Sequence, residues 1–135
     1  FFKQKTAYEM EILSAPSRIS GQVLQDRPRP IPLPEQEWLL NGRPVDRVVG
    51  VRDGEAARMV VPDPRWFALQ KLWMAEKRER DPQKKPKDRK QGNAVLDAVW
   101  VAMRHYPLDE EFCKELPEVL KPHFERWDAK KPQRD

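Results

Sequence analysis

The chain has 135 residues, a length that suits one domain or part of one. Apolar residues make up 39% of it and charged residues 36%, and 26 basic against 22 acidic residues give a formal net charge of +4. The single cysteine, Cys113, excludes an intramolecular disulfide, and the lack of any apolar stretch of ~18 residues or secretory signal leads us to expect a soluble cytoplasmic protein.

Residues 1–10 do not read as ordinary protein sequence. The segment Phe2–Met10 back-translates onto a common short-read sequencing adaptor. Artefacts of this kind are excluded from reasoning about a fold. We therefore expect residues 1–10 to be an assembly artefact, joined to a gene whose upstream part is missing.

A short strand and a proline-rich connector are predicted for residues 11–37. The apolar residues on either side of Glu11 in Met10–Leu13 suggest the strand. The segment Ser14–Glu37 has no regular apolar period, which favours an extended connector over a helix. It contains five prolines: Pro16, Pro28, Pro30, Pro32 and Pro34.

An apolar patch and a β-hairpin are predicted to follow the connector. We expect the patch, Trp38–Leu40, to pack on the core. Two loosely alternating, β-branched segments are predicted as the strands, Val45–Val51 and Ala56–Val61. Between them, Asp53-Gly54 is a strong signal for a two-residue hairpin turn.

The remainder of the chain is predicted to be helical. Asp63 and Pro64 supply an N-cap and a first-turn proline. The predicted helices run from about residue 64 to 80, from 87 to 105, from near 108 for a short acidic helix, and from 117 to 127. The inner face of the second predicted helix is lined by Val95, Val99, Ala102 and Met103.

These elements predict an α+β fold, in which short strands and a β-hairpin precede a helical subdomain. Residues 38–127 are expected to form the hairpin and helical subdomain. Residues 128–135 are expected to be a polar tail.

The basic charge is concentrated between Glu76 and Lys90, where eight cations face four carboxylates. Such a patch favours partners that carry phosphate, and a solvated loop between two helices explains it equally well. With Trp66 and Trp73 nearby, segment 77–90 also permits a second hypothesis, a nucleic-acid-binding module.

Lys71 and Asp88 are the polar residues that helical spacing places on otherwise apolar faces. The ammonium of Lys71 either escapes to water or meets phosphate oxygens in a cleft. The carboxylate of Asp88 either stabilises the helix start, forms an ion pair with Lys71, or serves a site. His105, His123 and Cys113 lack the spacing of metal ligands or of a nucleophile with its base, and Cys113 is expected to fill the core.

One block of sequence resembles a known family. Val61–Met74, with Trp38–Asn41 before it and Arg80–Pro82 and Lys87–Gln91 after it, is similar to a segment of a bacterial nucleotidyltransferase-fold family. The resemblance extends over Met10–Pro122. Gln70 departs from it, because a histidine is common at that position.

The resemblance implies transfer of a nucleotidyl group from an NTP to an unknown acceptor. Such proteins hold Mg²⁺ with an Asp-x-Asp pair and a third carboxylate, and Glu11 stands where the third carboxylate would fall. Lys71 and Arg89 would bind the nucleotide phosphates, and Asp88 would have an orienting role through a pair with Lys71 or Arg89. No Gly-Ser motif and no Asp-x-Asp pair occurs in the sequence, so the chain by itself is expected to be inactive. A non-catalytic partner, as in a toxin–antitoxin pair, is the remaining hypothesis.

Overall fold

The computed structural model describes residues 13–18 and 31–133. Strand β1 (Leu13–Ser14) pairs in parallel with β2 (Ile31–Pro32), and β3 (Val45–Gly50) pairs antiparallel with β4 (Ala56–Val61). Four helices follow: α1 (Pro64–Glu76), α2 (Lys85–Ala102), α3 (Glu110–Glu115) and α4 (Lys121–Asp128). The predicted α+β class is confirmed. Residues 1–10, Glu11 and most of the predicted Met10–Leu13 strand lie outside the described residues.

The proline-rich segment was predicted to be an extended connector, and this prediction is wrong near both of its ends. It contains two 3₁₀ helices, Pro16–Arg18 and Pro34–Leu40. Each begins at a proline, whose fixed φ suits a first helical position. Ser17 connects the two helices, since its backbone N–H and its hydroxyl donate to the carboxylate of Glu37 at 2.7 and 2.8 Å.

The β-hairpin is confirmed, but its loop is wider than predicted. The backbone N–H of Val51 donates to the carbonyl of Glu55 at 2.9 Å, so that three residues form the loop. Gly54 has a φ of 82°. Three-residue loops place glycine in this left-handed conformation, so the Asp-Gly pair indicated the turn correctly but not its length.

Asp63 is confirmed as the N-cap of α1 and also connects distant parts of the chain. Its buried carboxylate accepts hydrogen bonds from the backbone N–H of Arg43 and of Arg65, both at 2.9 Å. The guanidinium of Arg65 donates to the same carboxylate and, at 2.8 Å, to the carbonyl of Pro107. The start of α1 is therefore fixed to the residues before β3 and to those before α3.

Helices α1 and α2 are the best-packed pair, and both differ in length from the prediction. Helix α1 ends at Glu76 rather than near residue 80, and α2 begins and ends earlier than predicted. The buried stripe of α2 is Asp88, Gly92, Leu96 and Val99, whereas Ala102 is exposed. Of the predicted inner face, Val99 is buried and Val95 and Met103 pack against the core, so that only Ala102 differs from the prediction.

The close approach of the two helices occurs at Gly92. A Cβ atom there would lie 2.7 Å from Cγ of Leu72 and 2.8 Å from the carbonyl oxygen of Ala68. Since the second contact is to the backbone of α1, it cannot be relieved by a side-chain rotation. Gly92 thus sets the distance between α1 and α2.

The C-terminal helices complete the core. Phe112 of α3 and Phe124 and Trp127 of α4 are buried together with Trp66 and Leu69 of α1. The predicted polar tail contacts α2 at Pro132, whose carbonyl accepts from the indole N–H of Trp100 at 3.0 Å. Cys113 is half-buried against this core, as expected for a small filler.

A methyl group at Gly92 tests the close contact of α1 and α2. We expect Gly92→Ala to lower the free energy of unfolding by about 1–3 kcal/mol because of overpacking, although alanine favours helix over glycine by about 1 kcal/mol. Urea unfolding measures the change. Gly50→Ala is the control, because its Cβ would meet no atom within 4 Å. An unchanged or raised stability of Gly92→Ala would contradict the packing described.

Candidate functional site

An ionic cluster lies between α1 and the first turn of α2. The carboxylate of Asp88 accepts from Nζ of Lys71 at 3.3 Å and from Nε of Arg80 at 2.7 Å. The side chain of Asp88 is 3% exposed, those of Lys71 and Arg80 21% and 23%. Of the roles open to Asp88 from the sequence, the ion pair with Lys71 is confirmed. The second partner is Arg80, not Arg89.

The cluster explains why a charged pair sits on apolar helix faces. Asp88 lies in the first turn of α2, where a negative charge complements the helix dipole, and Gly92 lets α1 come close enough for Lys71 to reach it. The ammonium of Lys71 lies 5.7 Å from the centroid of the Phe67 ring. Lys71 therefore keeps part of its charged group toward solvent in a fixed position.

A second polar contact holds the Pro34–Leu40 helix on α1. The side-chain amide of Gln70 is buried and donates to the carbonyl of Glu35 at 3.0 Å, and Nζ of Lys77 lies 3.1 Å from the Glu35 carboxylate. The rings of Trp38 and Trp73 pack edge to face with centroids 4.9 Å apart. At the position where the resemblance leads one to expect a histidine, Gln70 thus has a structural role.

These contacts change the picture of the basic segment 77–90. Two of its cations, Lys77 and Arg80, are paired with buried carboxylates. Trp66 is buried, and Trp73 is covered by Trp38 and by the ammonium of Lys77, 4.7 Å from its ring centroid. Trp66 is therefore inaccessible to a nucleic-acid base, and the aromatic part of the nucleic-acid hypothesis loses its support.

Arg89 belongs to a different place, a cleft between α1, α2 and α4. The cleft has a volume of about 370 Å³ and is lined by Leu72, Glu76, Arg89, Asn93, Asp97, His123, Arg126, Trp127 and Lys130. Lys71 is not part of this lining. The structure therefore brings Lys71 and Asp88 together, but it does not place Arg89 in the same cluster.

Hydrogen bonds inside the cleft fix several of its charges. Arg126 donates to both carboxylate oxygens of Glu76, at 2.6 and 3.0 Å, and this hydrogen bonding lowers the pKa of Glu76. Nη2 of Arg126 also lies 2.9 Å from Nδ1 of His123. Burial lowers the pKa of His123, Arg126 lowers it further, and Glu76 opposes both. At neutral pH His123 is therefore an uncharged acceptor toward Arg126.

Sequence reasoning missed most of these contacts because they join residues far apart in the chain. Glu35 lies in a segment that was predicted to be extended, and nothing there indicated that its carboxylate is buried. Arg65 lies within the Val61–Met74 segment, and nothing in its helical spacing predicted that its side chain would be buried. His123 was not singled out by the sequence, and only its spacing of three residues from Arg126 signals their contact.

Metal binding finds no support in the described part of the chain. Residues 13–18 and 31–133 contain no group of three or more His, Cys, Asp or Glu side chains that could hold an ion. Glu11, expected as the third carboxylate, lies outside these ranges. In the same ranges, no helix combines the length and apolar character needed to cross a membrane.

Comparison with known proteins gives one match. A family model described as nucleotidyltransferase matches residues 2–116. No curated protein matches the chain, and no solved structure does. The matched range includes α1, α2 and α3 and ends before α4.

The ionic cluster makes a testable contribution to stability. We expect Asp88→Asn to lower the free energy of unfolding by about 2–4 kcal/mol. The substitution leaves Lys71 and Arg80, both partly exposed, without the carboxylate that neutralises them. Chemical unfolding at neutral pH measures it. Glu110→Gln is the control, since its pair with Lys114 is exposed and should contribute almost nothing. Equal effects of the two substitutions would show that the cluster does not stabilise the α1–α2 contact.

The pH dependence of stability tests the state of His123. Because the pKa of His123 is lowered in the folded protein, the unfolded chain is protonated before the folded protein as the pH falls, at about pH 6.5. The free energy of unfolding should thus be highest above that pH and fall as the pH drops toward the lower, folded-state pKa. Urea unfolding at about pH 7.5 and about pH 5.5 should show a smaller fall in His123→Gln than in wild type. The exposed His105 is the control, and a reduced fall in His105→Gln instead would refute the assignment.

Proposed function

Because the chain belongs to the nucleotidyltransferase family, we propose that the protein transfers a nucleotidyl group from a nucleoside triphosphate to an acceptor. The observation that carries the proposal is the family match over residues 2–116. The family implies an NTP as substrate. The ionic cluster of Lys71, Asp88 and Arg80 lies inside the matched range, which supports a role for it in the shared chemistry.

Lys71 is the residue to which we assign the NTP phosphates. Its side chain is 21% exposed, and its ammonium is fixed by Asp88 at 3.3 Å. A compact cation held in place loses little freedom when it binds a phosphate oxygen. Asp88 is a positioning residue in this assignment, because it touches Lys71 and not the nucleotide.

Arg89 is proposed as a second contact to phosphate. It follows Asp88 directly on α2 and is exposed on the cleft side. Its guanidinium suits two-point contact with phosphate oxygens. The separation of Arg89 from Lys71 in the structure means that the two would act on different phosphate oxygens or on different molecules.

We also propose that the reaction requires Mg²⁺, which supplies charge neutralisation at the phosphates when it is bound. The described residues do not fit such an ion, so none of them is assigned as a ligand. Glu11 keeps its proposed role through the resemblance alone. The proposed transfer needs an Asp-x-Asp pair, which these 135 residues do not contain. By themselves they are therefore expected to bind NTPs without turning them over.

Calorimetric titration with each of the four NTPs tests the proposal. We expect binding of at least one NTP, and an affinity about tenfold lower for Lys71→Met because one charge-assisted contact is lost. Lys77→Met is the matched control: this lysine pairs with buried Glu35 near the end of the same helix but has no proposed phosphate contact. Thermal unfolding of both variants separates lost binding from lost structure.

Four outcomes contradict parts of this proposal. If no NTP binds, the assignment of the phosphates to this chain is wrong. If Lys77→Met weakens binding as much as Lys71→Met, Lys71 has no special role. Incorporation of label from an NTP by the chain alone would refute its expected inactivity, whereas RNA binding that weakens steeply with salt, without NTP binding, would favour the nucleic-acid hypothesis.

A further inference from the structure

The cleft between α1, α2 and α4 has the form of a small-molecule site. Its volume of about 370 Å³ falls at the lower end of the range of roughly 300–1,000 Å³ found for ligand pockets. Leu72 and Trp127 give it apolar walls, and polar side chains from all three helices face it. It is thus concave, partly apolar and supplied with a few converging polar groups.

The acidic groups of the cleft are already occupied. Both carboxylate oxygens of Glu76 accept from Arg126, and Oδ1 of Asp97 accepts from the indole N–H of Trp127 at 2.8 Å. The basic groups are less committed: within residues 13–18 and 31–133, the side chains of Arg89 and Lys130 form neither a hydrogen bond nor a salt bridge. The charge that the cleft can offer to a ligand is therefore positive.

His123 supplies a third donor. Its side chain is 8% exposed, and its Nδ1 faces a guanidinium N–H of Arg126. A ring nitrogen that accepts a hydrogen bond carries no proton, so the proton of the neutral ring is on Nε2. Nε2 has no hydrogen-bond partner in the described part of the chain, and His123 lines the cleft. Nε2 is not among the fully buried side-chain atoms that lack a partner, so its N–H is accessible from the cleft and can donate to a ligand there.

From these contacts we infer that the cleft binds the phosphate group of a small molecule through Arg89, Lys130 and Nε2–H of His123. Two cations and a neutral donor match a group with several acceptor oxygens better than they match a carboxylate with two. The volume of the cleft, about 370 Å³, suits a small molecule.

This site goes beyond the chemistry expected from the family. His123, Arg126, Trp127 and Lys130 follow residue 116, where the family match ends. The inference concerns binding alone and does not require nucleotidyl transfer. The phosphate could belong to the NTP or to another phosphate ester, and the two sources are separable by competition.

Titration of the full chain with inorganic pyrophosphate tests the inference. We expect saturable binding, shifts of the His123 ring and Trp127 indole resonances in NMR spectra, and an affinity about tenfold lower for Arg89→Gln and for Lys130→Gln. Lys90→Gln is the matched control, since Lys90 is exposed on α2 and does not line the cleft. Its affinity should equal that of the wild type. Because Arg89 and Lys130 are both exposed, folding should be unaffected, and thermal unfolding checks this.

The outcomes distinguish the ligand source and the failure of the inference. Displacement of pyrophosphate by ATP but not by ribose 5-phosphate identifies an NTP as the source, and the reverse identifies a separate phosphate ester; either supports the site. Acetate binding as tight as that of pyrophosphate, or equal weakening by Lys90→Gln, overturns it. The NTP titration of Lys71→Met reports on the proposed function, and the pyrophosphate titration of Lys130→Gln reports on this site, so the two failures remain separate results.

Discussion

The contact between α1 and α2 at Gly92 and Asp88 is the constraint on which the remaining structure depends. Gly92 permits an approach that any larger residue would block at the backbone of Ala68. The same approach brings Lys71 within reach of the Asp88 carboxylate. Packing and charge therefore act at one place. The distance between α1 and α2 that suits their apolar contact also lets Lys71 pair with the buried carboxylate of Asp88.

Helix α1 carries this constraint to the other elements. Asp63 and Arg65 at its start hold the residue before β3 and the carbonyl of Pro107, while Gln70 and Lys77 hold the Pro34–Leu40 helix. Each of these polar contacts is buried or half-buried and joins segments at least 20 residues apart in sequence. The fold is thus organised around one helix whose polar residues specify its neighbours and whose apolar residues form the core.

Local signals in the sequence predicted the elements well, and long-range contacts escaped them. Asp63-Pro64 and Asp53-Gly54 act within a few residues, so the start of α1 and the hairpin could be predicted. The burial of Glu35 and the exposure of Ala102 depend on how distant parts of the chain pack. At the candidate site, helical spacing identified Lys71 and Asp88, but the choice of Arg80 over Arg89 depends on the path of residues 77–84 after α1 ends. The cleft could not be predicted, because its walls come from three helices that only the fold brings together.

The position of α4 shows that the end of the family match and the end of the packed core lie at different residues. The family match ends at residue 116, yet Leu120, Phe124 and Trp127 lie beyond it and are buried. Burial of three such side chains contributes roughly 5–9 kcal/mol, a sum comparable to the total stability of a small domain, about 5–15 kcal/mol. A recombinant product trimmed to residues 2–116 would therefore lose its fold and expose Trp66 and Phe112 to aggregation. The stretch that the family model matches is shorter than the stretch that packs into this core.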